Sequence, residues 1–341
     1  MSQDHSIQDK FAGVLANIGQ TLVPLTQRIN PAAPVDDALH TLTPRVLTLF
    51  FDPIVDPVNK TPLSQTGYAQ NWNKVDTLIQ GYIADVAECS GGLVQYQEVT
   101  RQTIDHFPLR DSGQRYAGPD YMKILARQAP VNEHDLVNYQ ALVDELKLAD
   151  RRTNNEFDEV WMFGFPYAGF YETRMIGKGA FWCNAPELVA PCPRFVITGF
   201  NYERGVGEML EDLGHRGESI LWHIYGDKPG PANLWERFSR YDLTNPGQAE
   251  VGWMHWAPNT RQEYDWANCM DYVPSKCDDW YNFPHFAGTV KQVSCQEWGG
   301  GDIRAHHKWW FKHLPKVAGN TNGIRNNWWS YIINTADPSF G

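Results

Sequence analysis

Glu208, Glu211, Asp212, His215 and Glu218 lie within one stretch, Asn201–Gly226 (NYERGVGEMLEDLGHRGESILWHIYG). Glu211 and His215 stand four residues apart, one turn of a helix, so their side chains can meet on one face. A carboxylate and an imidazole in that relation are both good ligands for a divalent metal, zinc above all. Asp212 projects about 100° away from Glu211. Glu208 sits one turn earlier on the same stripe. Either is a candidate base for activating water. A third ligand has to come from downstream, where His255, Asp265, His285 and His306 are available. His255 is favoured, because HWAPN follows the helix closely and Asn259, Tyr264 and Asp265 could orient it.

These residues need a helix to position them. Val206, Met209, Leu210, Leu213, Ile220, Leu221 and Ile224 recur at helical spacing and define one apolar face. Glu208, Glu211, His215, Glu218 and Ser219 fall opposite it. An exposed helix carries such a stripe for solubility alone, so the stripe by itself is as compatible with a solvated face as with a site. Two details favour a site: the stripe has no Lys, and Trp182 and Trp222 flank it.

Glu211-Asp212-Leu213-Gly214-His215 resembles the HExxH helix of zincin-type metallopeptidases, with Glu211 in place of the first His and Asp212 in place of the general base. The context is similar too: strands and helices, then an edge strand, then this helix. The resemblance implies a zincin-like core and a metal-dependent hydrolase. In it Glu211 and His215 bind the metal and Asp212 takes the place of the base; joined to the reading of the stripe and the downstream loop, His255 is the third ligand and Glu208 or Asp212 activates water. The segments GFNYERGVGEMLEDLGHR, PYAGFYETRM and GAFWCNAPEL also resemble an uncharacterised bacterial family, from about Arg45 to the C-terminus. That likeness implies no activity.

Residues 1–43 read as an N-terminal arm with one helix at Phe11–Ile29, and residues 44–341 as a single catalytic or binding domain. Arg45–Val55 is apolar on both faces, as a central strand is; Phe157–Phe165 reads as another strand and Arg194–Phe200 as a short buried one. Leu93–Val99 and Arg101–Phe107 read as a bent or hairpin pair of strands. Helical spacing marks Asn71–Cys89, Tyr121–Arg127, His134–Arg151 and Asn233–Tyr241. The fold class expected is α/β or α+β, with a mixed sheet, the focal helix beneath it, and a loop-rich, aromatic C-terminal half. Pro166–Trp182 is rich in Gly and aromatics. It reads either as a cleft wall, with Tyr167, Phe170, Tyr171 and Trp182 toward substrate, or as an irregular edge strand and loop.

The aromatic content, 14 Trp, 15 Tyr and 16 Phe, suits stacking on sugar rings or a large aromatic core. The expected substrate is therefore a peptide or a glycan, with Asp265 as a further contact. One alternative is a metal-free glycoside hydrolase pairing Glu208 with Glu211, or Glu211 with Asp212 or Asp265. Another is a non-catalytic carbohydrate- or protein-binding module on a degenerate protease scaffold.

Several classes are excluded. A net charge of −11 argues against nucleic-acid binding. No apolar run approaches the roughly 20 residues of a membrane span. There is no CxxC, no GxSxG, no P-loop and no GxGxxG. Arg304, His306, His307, Lys308, Lys312 and His313, interleaved with Trp309 and Trp310, read as an amphipathic helix. Local disulfides Cys183–Cys192 and Cys269–Cys277 are expected. They favour an extracellular protein, although no signal peptide is visible.

Overall fold

A strand that is apolar on both faces needs a packed layer on each side. The computed structural model of the protein describes residues 38–337, and they supply those layers. β1 (Arg45–Phe51), β4 (Gln97–Ile104), β5 (Glu159–Gly164), β6 (Thr173–Ile176) and β7 (Phe195–Asn201) form a five-stranded mixed sheet in the order β4-β1-β5-β7-β6. β4, β1, β5 and β7 run parallel, and β6 is an antiparallel edge strand on β7. Central β5 is buried throughout, and edge strand β4 is largely exposed. The fold class is mixed α/β, as expected from sequence.

Eight helices are described: α1 (Val75–Cys89), α2 (Gly118–Leu125), α3 (Tyr139–Glu145), α4 (Leu148–Thr153), α5 (Val206–Tyr225), α6 (Leu234–Phe238), α7 (Ile303–His313) and α8 (Trp328–Ile333). Small antiparallel pairs join β2 (Ile54–Asp56) to β3 (Thr61–Pro62), β8 (Val273–Ser275) to β9 (Lys291–Val293), and β10 (Lys316–Thr321) to β11 (Ile324–Asn327). Residues 38–337 fall within one compact unit. The helix expected at Phe11–Ile29 lies outside the described residues.

Three local expectations change. The strand pair expected around residues 93–107 is one strand, β4, because its residues bond along the whole length of β1. The helix expected over His134–Arg151 is two, α3 and α4, broken at Lys147, whose φ of 52° is left-handed. Asn138 starts α3 by accepting a hydrogen bond from the Ala141 amide. The disulfide is Cys269–Cys295, and Cys89, Cys183, Cys192 and Cys277 are free and buried. Sequence proximity misled here: β9 and the following 3-10 turn bring Cys295 to Cys269, and the nearer Cys277 begins a different turn.

The focal helix α5 is not a surface helix. Asp212, His215, Arg216, Glu218 and Ser219 are all buried. Its glycines explain how it is covered on the polar side. A Cβ on Gly207 would lie 2.8 Å from Ile303, one on Gly214 would overlap the Met254 side chain, and one on Gly217 would lie 3.2 Å from Ile332. The start of α7, the Met254 segment and α8 therefore pack directly onto the α5 backbone. The aromatics serve this packing: Trp161, Trp235, Trp280, Trp298, Trp310, Trp328 and Trp329 are fully buried.

Candidate metal centre

α5 contributes Glu211 and His215, one turn apart on the face toward the C-terminal half. The loop after Trp253 contributes His255. The Nε2 atoms of His215 and His255 lie 3.0 Å apart. Glu211 Oε1 lies 2.8 Å from His255 Nε2 and 3.9 Å from His215 Nε2. These three residues form a group whose donor atoms lie close enough together to hold a metal ion.

Each ring is braced from behind. His215 Nδ1 lies 2.8 Å from Glu218 Oε2, and His255 Nδ1 lies 2.9 Å from Glu263 Oε1. A carboxylate only accepts, so each Nδ1 is the donor. In the neutral ring this leaves a bare lone pair on Nε2. Two Nε2 atoms facing each other at 3.0 Å, with a Glu211 carboxylate oxygen 2.8 Å from one of them, call for positive charge among them, either a proton shared with Glu211 or a metal ion. The separations of 2.8, 3.0 and 3.9 Å bracket the ~3.3 Å edge of a tetrahedron with zinc–nitrogen bonds of about 2.0–2.1 Å. The residues thus fit a zinc-class ion in chemistry and in spacing.

Glu218 does a second job. Its Oε1 accepts a hydrogen bond of 2.6 Å from the Met254 amide, the residue before His255. One carboxylate therefore orients His215 and fixes the loop that delivers His255. The Met254 carbonyl accepts from Trp266 Nε1 at 3.2 Å. Tyr264 packs on the His255 ring at 4.0 Å between centroids, with a left-handed φ of 64°. A bulky residue held in that region marks a backbone constrained by its surroundings.

A further imidazole meets Glu211 from α7. His307 Nε2 lies 3.3 Å from Glu211 Oε2. Among the downstream histidines considered from sequence, His306 is the neighbour of this one. Its Nδ1 faces His307 Nδ1 at 3.1 Å, and its Nε2 is buried with no hydrogen-bond partner. His285 is exposed.

The electrostatics follow from this packing. Burial alone would raise the Glu211 pKa, but the imidazoles of His215, His255 and His307 hold its carboxyl far below the usual range. Burial works against a charged His215, yet the carboxylates of Glu211 and Glu218 raise it above the ordinary imidazole value. For His255, burial and the neighbouring His215 lower the pKa, and Glu211 and Glu263 outweigh them. His307 is lowered by burial, with Glu211 opposing. The cluster is thus a negative pocket for positive charge. It reaches solvent at Glu211 and Glu263, whose side chains are 13% and 23% exposed, and at Tyr264.

The other residues singled out from sequence lie as follows. Glu208 Oε2 accepts from the Gly205 amide at 2.9 Å, capping the start of α5. Asp212 is buried, and its carbonyl accepts from Thr173 Oγ1 at 3.5 Å. Burial, then Glu172 and Glu211, push its carboxyl well above the ordinary range. Tyr167 is exposed and lines a pocket with Arg110, Phe165, Phe170, Phe200 and Asn201, a lining that includes none of the three candidate ligands. The Tyr171 amide donates to the Tyr139 hydroxyl at 2.9 Å. Trp182 is half-buried. The Asp265 carbonyl accepts from Thr260 Oγ1 at 3.5 Å.

The sequence reading did not name Glu263, and it placed His307 on an amphipathic helix rather than at the site. Glu218 was visible on the polar stripe, and its spacing of three from His215 was the available signal for a bracing role. Glu263 and His307 carry no local signal, because folding of the C-terminal half brings them in. No helix among the described residues is long and apolar enough to cross a membrane. The chain matches no protein-family model, no curated protein and no solved structure.

Proposed function

We propose that the protein is a metal-dependent hydrolase that holds a zinc-class divalent ion through Glu211, His215 and His255. The observation that carries this reading is the pair of Nε2 atoms 3.0 Å apart, each on a ring whose Nδ1 is committed to its own carboxylate. A bound ion of this class polarises a scissile carbonyl and makes water acidic enough to attack at neutral pH.

The chain's own residues have separable roles. Glu218 and Glu263 hold the two rings in the tautomer that presents Nε2. Asp212, in the motif position of the general base, is the carboxyl that handles protons. Glu208 is committed to the helix cap and serves α5 rather than the chemistry. An antiparallel edge strand, then a central strand, then the ligand-bearing helix is the element order that supports a zincin-like core. A peptide or a glycan remains the substrate class. The metal-free glycosidase is less well supported, because three imidazoles already engage Glu211.

The test compares metal content of wild type and His215→Ala, both purified without chelator. The variant is expected to hold one equivalent less and to lose hydrolysis of peptide and glycan libraries. Equal metal content, with equal stabilisation on adding zinc, overturns the reading. Loss of metal from the variant with no turnover by the wild type leaves the non-catalytic binding module.

A further inference from the structure

His313 closes α7 with one nitrogen satisfied and the other not. Its Nδ1 lies 2.7 Å from the Trp309 carbonyl oxygen, which only accepts, so Nδ1 carries the hydrogen. Its Nε2 therefore presents a lone pair. That atom is fully buried and has no hydrogen-bond partner. An orphaned buried polar atom costs about 1–3 kcal/mol unless something satisfies it.

The lone pair faces a second acceptor. Asp278 Oδ1 stands 3.8 Å from His313 Nε2, too far for a hydrogen bond, and 3.9 Å from the Cys277 sulfur. Cys277 and Asp278 open the 3-10 turn Cys277–Asn282 directly after β8. Sulfur, carboxylate oxygen and imidazole nitrogen all lie within 4.8 Å of one another. The Cys277 thiol is fully buried, which removes it from attack on external substrates.

We propose that Cys277, Asp278 and His313 form a second metal site, holding a zinc-class ion that clamps the turn after β8 to the end of α7. Thiolate, imidazole and carboxylate are the donors zinc takes, and thiolate disfavours magnesium or calcium. Lys291 Nζ lies 2.8 Å from the same Asp278 oxygen. It also lies 2.5 Å from Glu297, so the ammonium keeps a carboxylate partner when Asp278 turns to the metal. Asp278 is 43% exposed and gives the ion its way in. Tyr281 packs against the His313 ring at 4.3 Å between centroids, tilted by 35°, and limits its rotation. The site shares no residue with the Glu211 centre, so either can fail without the other.

Cobalt substitution of the whole chain tests this, because only a thiolate ligand gives a sulfur-to-cobalt charge-transfer absorption in the near ultraviolet. Wild type is expected to show that absorption. His215→Ala should keep it, and Cys277→Ala should lose it together with one equivalent of metal. No such absorption in the wild type, or an absorption unchanged in Cys277→Ala, overturns the proposal. Should Cys277→Ala not fold, Asp278→Asn at the exposed ligand is expected to weaken cobalt binding at least tenfold, and an unchanged affinity counts against the site. X-ray absorption at the zinc edge of the zinc-loaded wild type is expected to contain a sulfur shell at about 2.3 Å. A shell of nitrogen and oxygen alone overturns the assignment.

Discussion

His215 and His255 turn their Nε2 atoms toward each other at 3.0 Å, across a 40-residue separation in sequence. Glu218 holds both ends of that relationship. It accepts from His215 Nδ1 and from the Met254 amide, so it sets the ring on α5 and the loop that carries the opposing ring. Glu263 braces only His255 and is more exposed. Carboxylates behind ligating histidines are typically worth 10–100-fold in metal affinity. Glu218→Gln is therefore expected to weaken zinc binding by about 100-fold and Glu263→Gln by about 10-fold, on that scale. Competition against a chromogenic chelator measures both. Wild-type affinity in Glu218→Gln would sink the bracing role.

Gly214 lies one residue before His215, and a methyl group there would overlap Met254. Alanine gains about 1 kcal/mol of helix propensity over glycine. The crowding pushes Met254, and with it His255, away from α5. Gly214→Ala is therefore expected to leave the helix content intact and weaken metal binding severalfold. Adding Met254→Ala makes room for the methyl and should restore affinity. Failure of the double variant to recover would show that Met254 does not transmit the change.

Much of this arrangement could be read locally. The central strands and the amphipathic pattern of α5 are short-range features, and hydrophobic runs report them directly. Glu211 and His215 were legible for the same reason, since four residues on a helix fix their proximity. What sequence could not give was the identity of the solvent-side layer. The stripe of Glu208, Glu211, His215 and Glu218 looks the same whether water or protein covers it. Gly207, Gly214 and Gly217 were the clue, because they let α7, the Met254 loop and α8 close onto the helix. Glu263, His307 and the Cys269–Cys295 link depend on that long-range closure, which no local spacing encodes.

Beneath the candidate centre, Arg216 and Glu159 form a buried ion pair at 2.9 Å, each at most 2% exposed. Arg216 also donates to the Ile333 carbonyl at 3.1 Å, and Glu159 accepts from Trp161 Nε1 at 2.7 Å. The pair thus ties α5 to β5 and to α8. Removing one partner leaves a buried charge uncompensated, at a cost of about 3–5 kcal/mol. Glu159→Gln is expected to lower the urea midpoint accordingly, with an unchanged denaturant slope. Glu159→Gln combined with Arg216→Met removes both charges and should recover part of that loss. A double variant less stable than Glu159→Gln alone would contradict this account.

Glu88 on α1 reaches Lys308 and Lys312 on α7, at 2.5 and 2.7 Å, while Asp85 on its own helix pairs with Lys308 and Arg304. The two lysines hold the Glu88 carboxyl down at about 2, against 4.5 for the free group. A carboxylate depressed in the folded state stabilises it above the unfolded pKa and loses that contribution as pH falls through the folded one. The melting-temperature gap between wild type and Glu88→Gln should therefore be full at neutral pH and close between pH 4.5 and about 2. The side chain is 49% exposed, so added salt should also shrink the gap at neutral pH. A gap that widens as pH falls through this window would show that Glu88 is not held by these lysines.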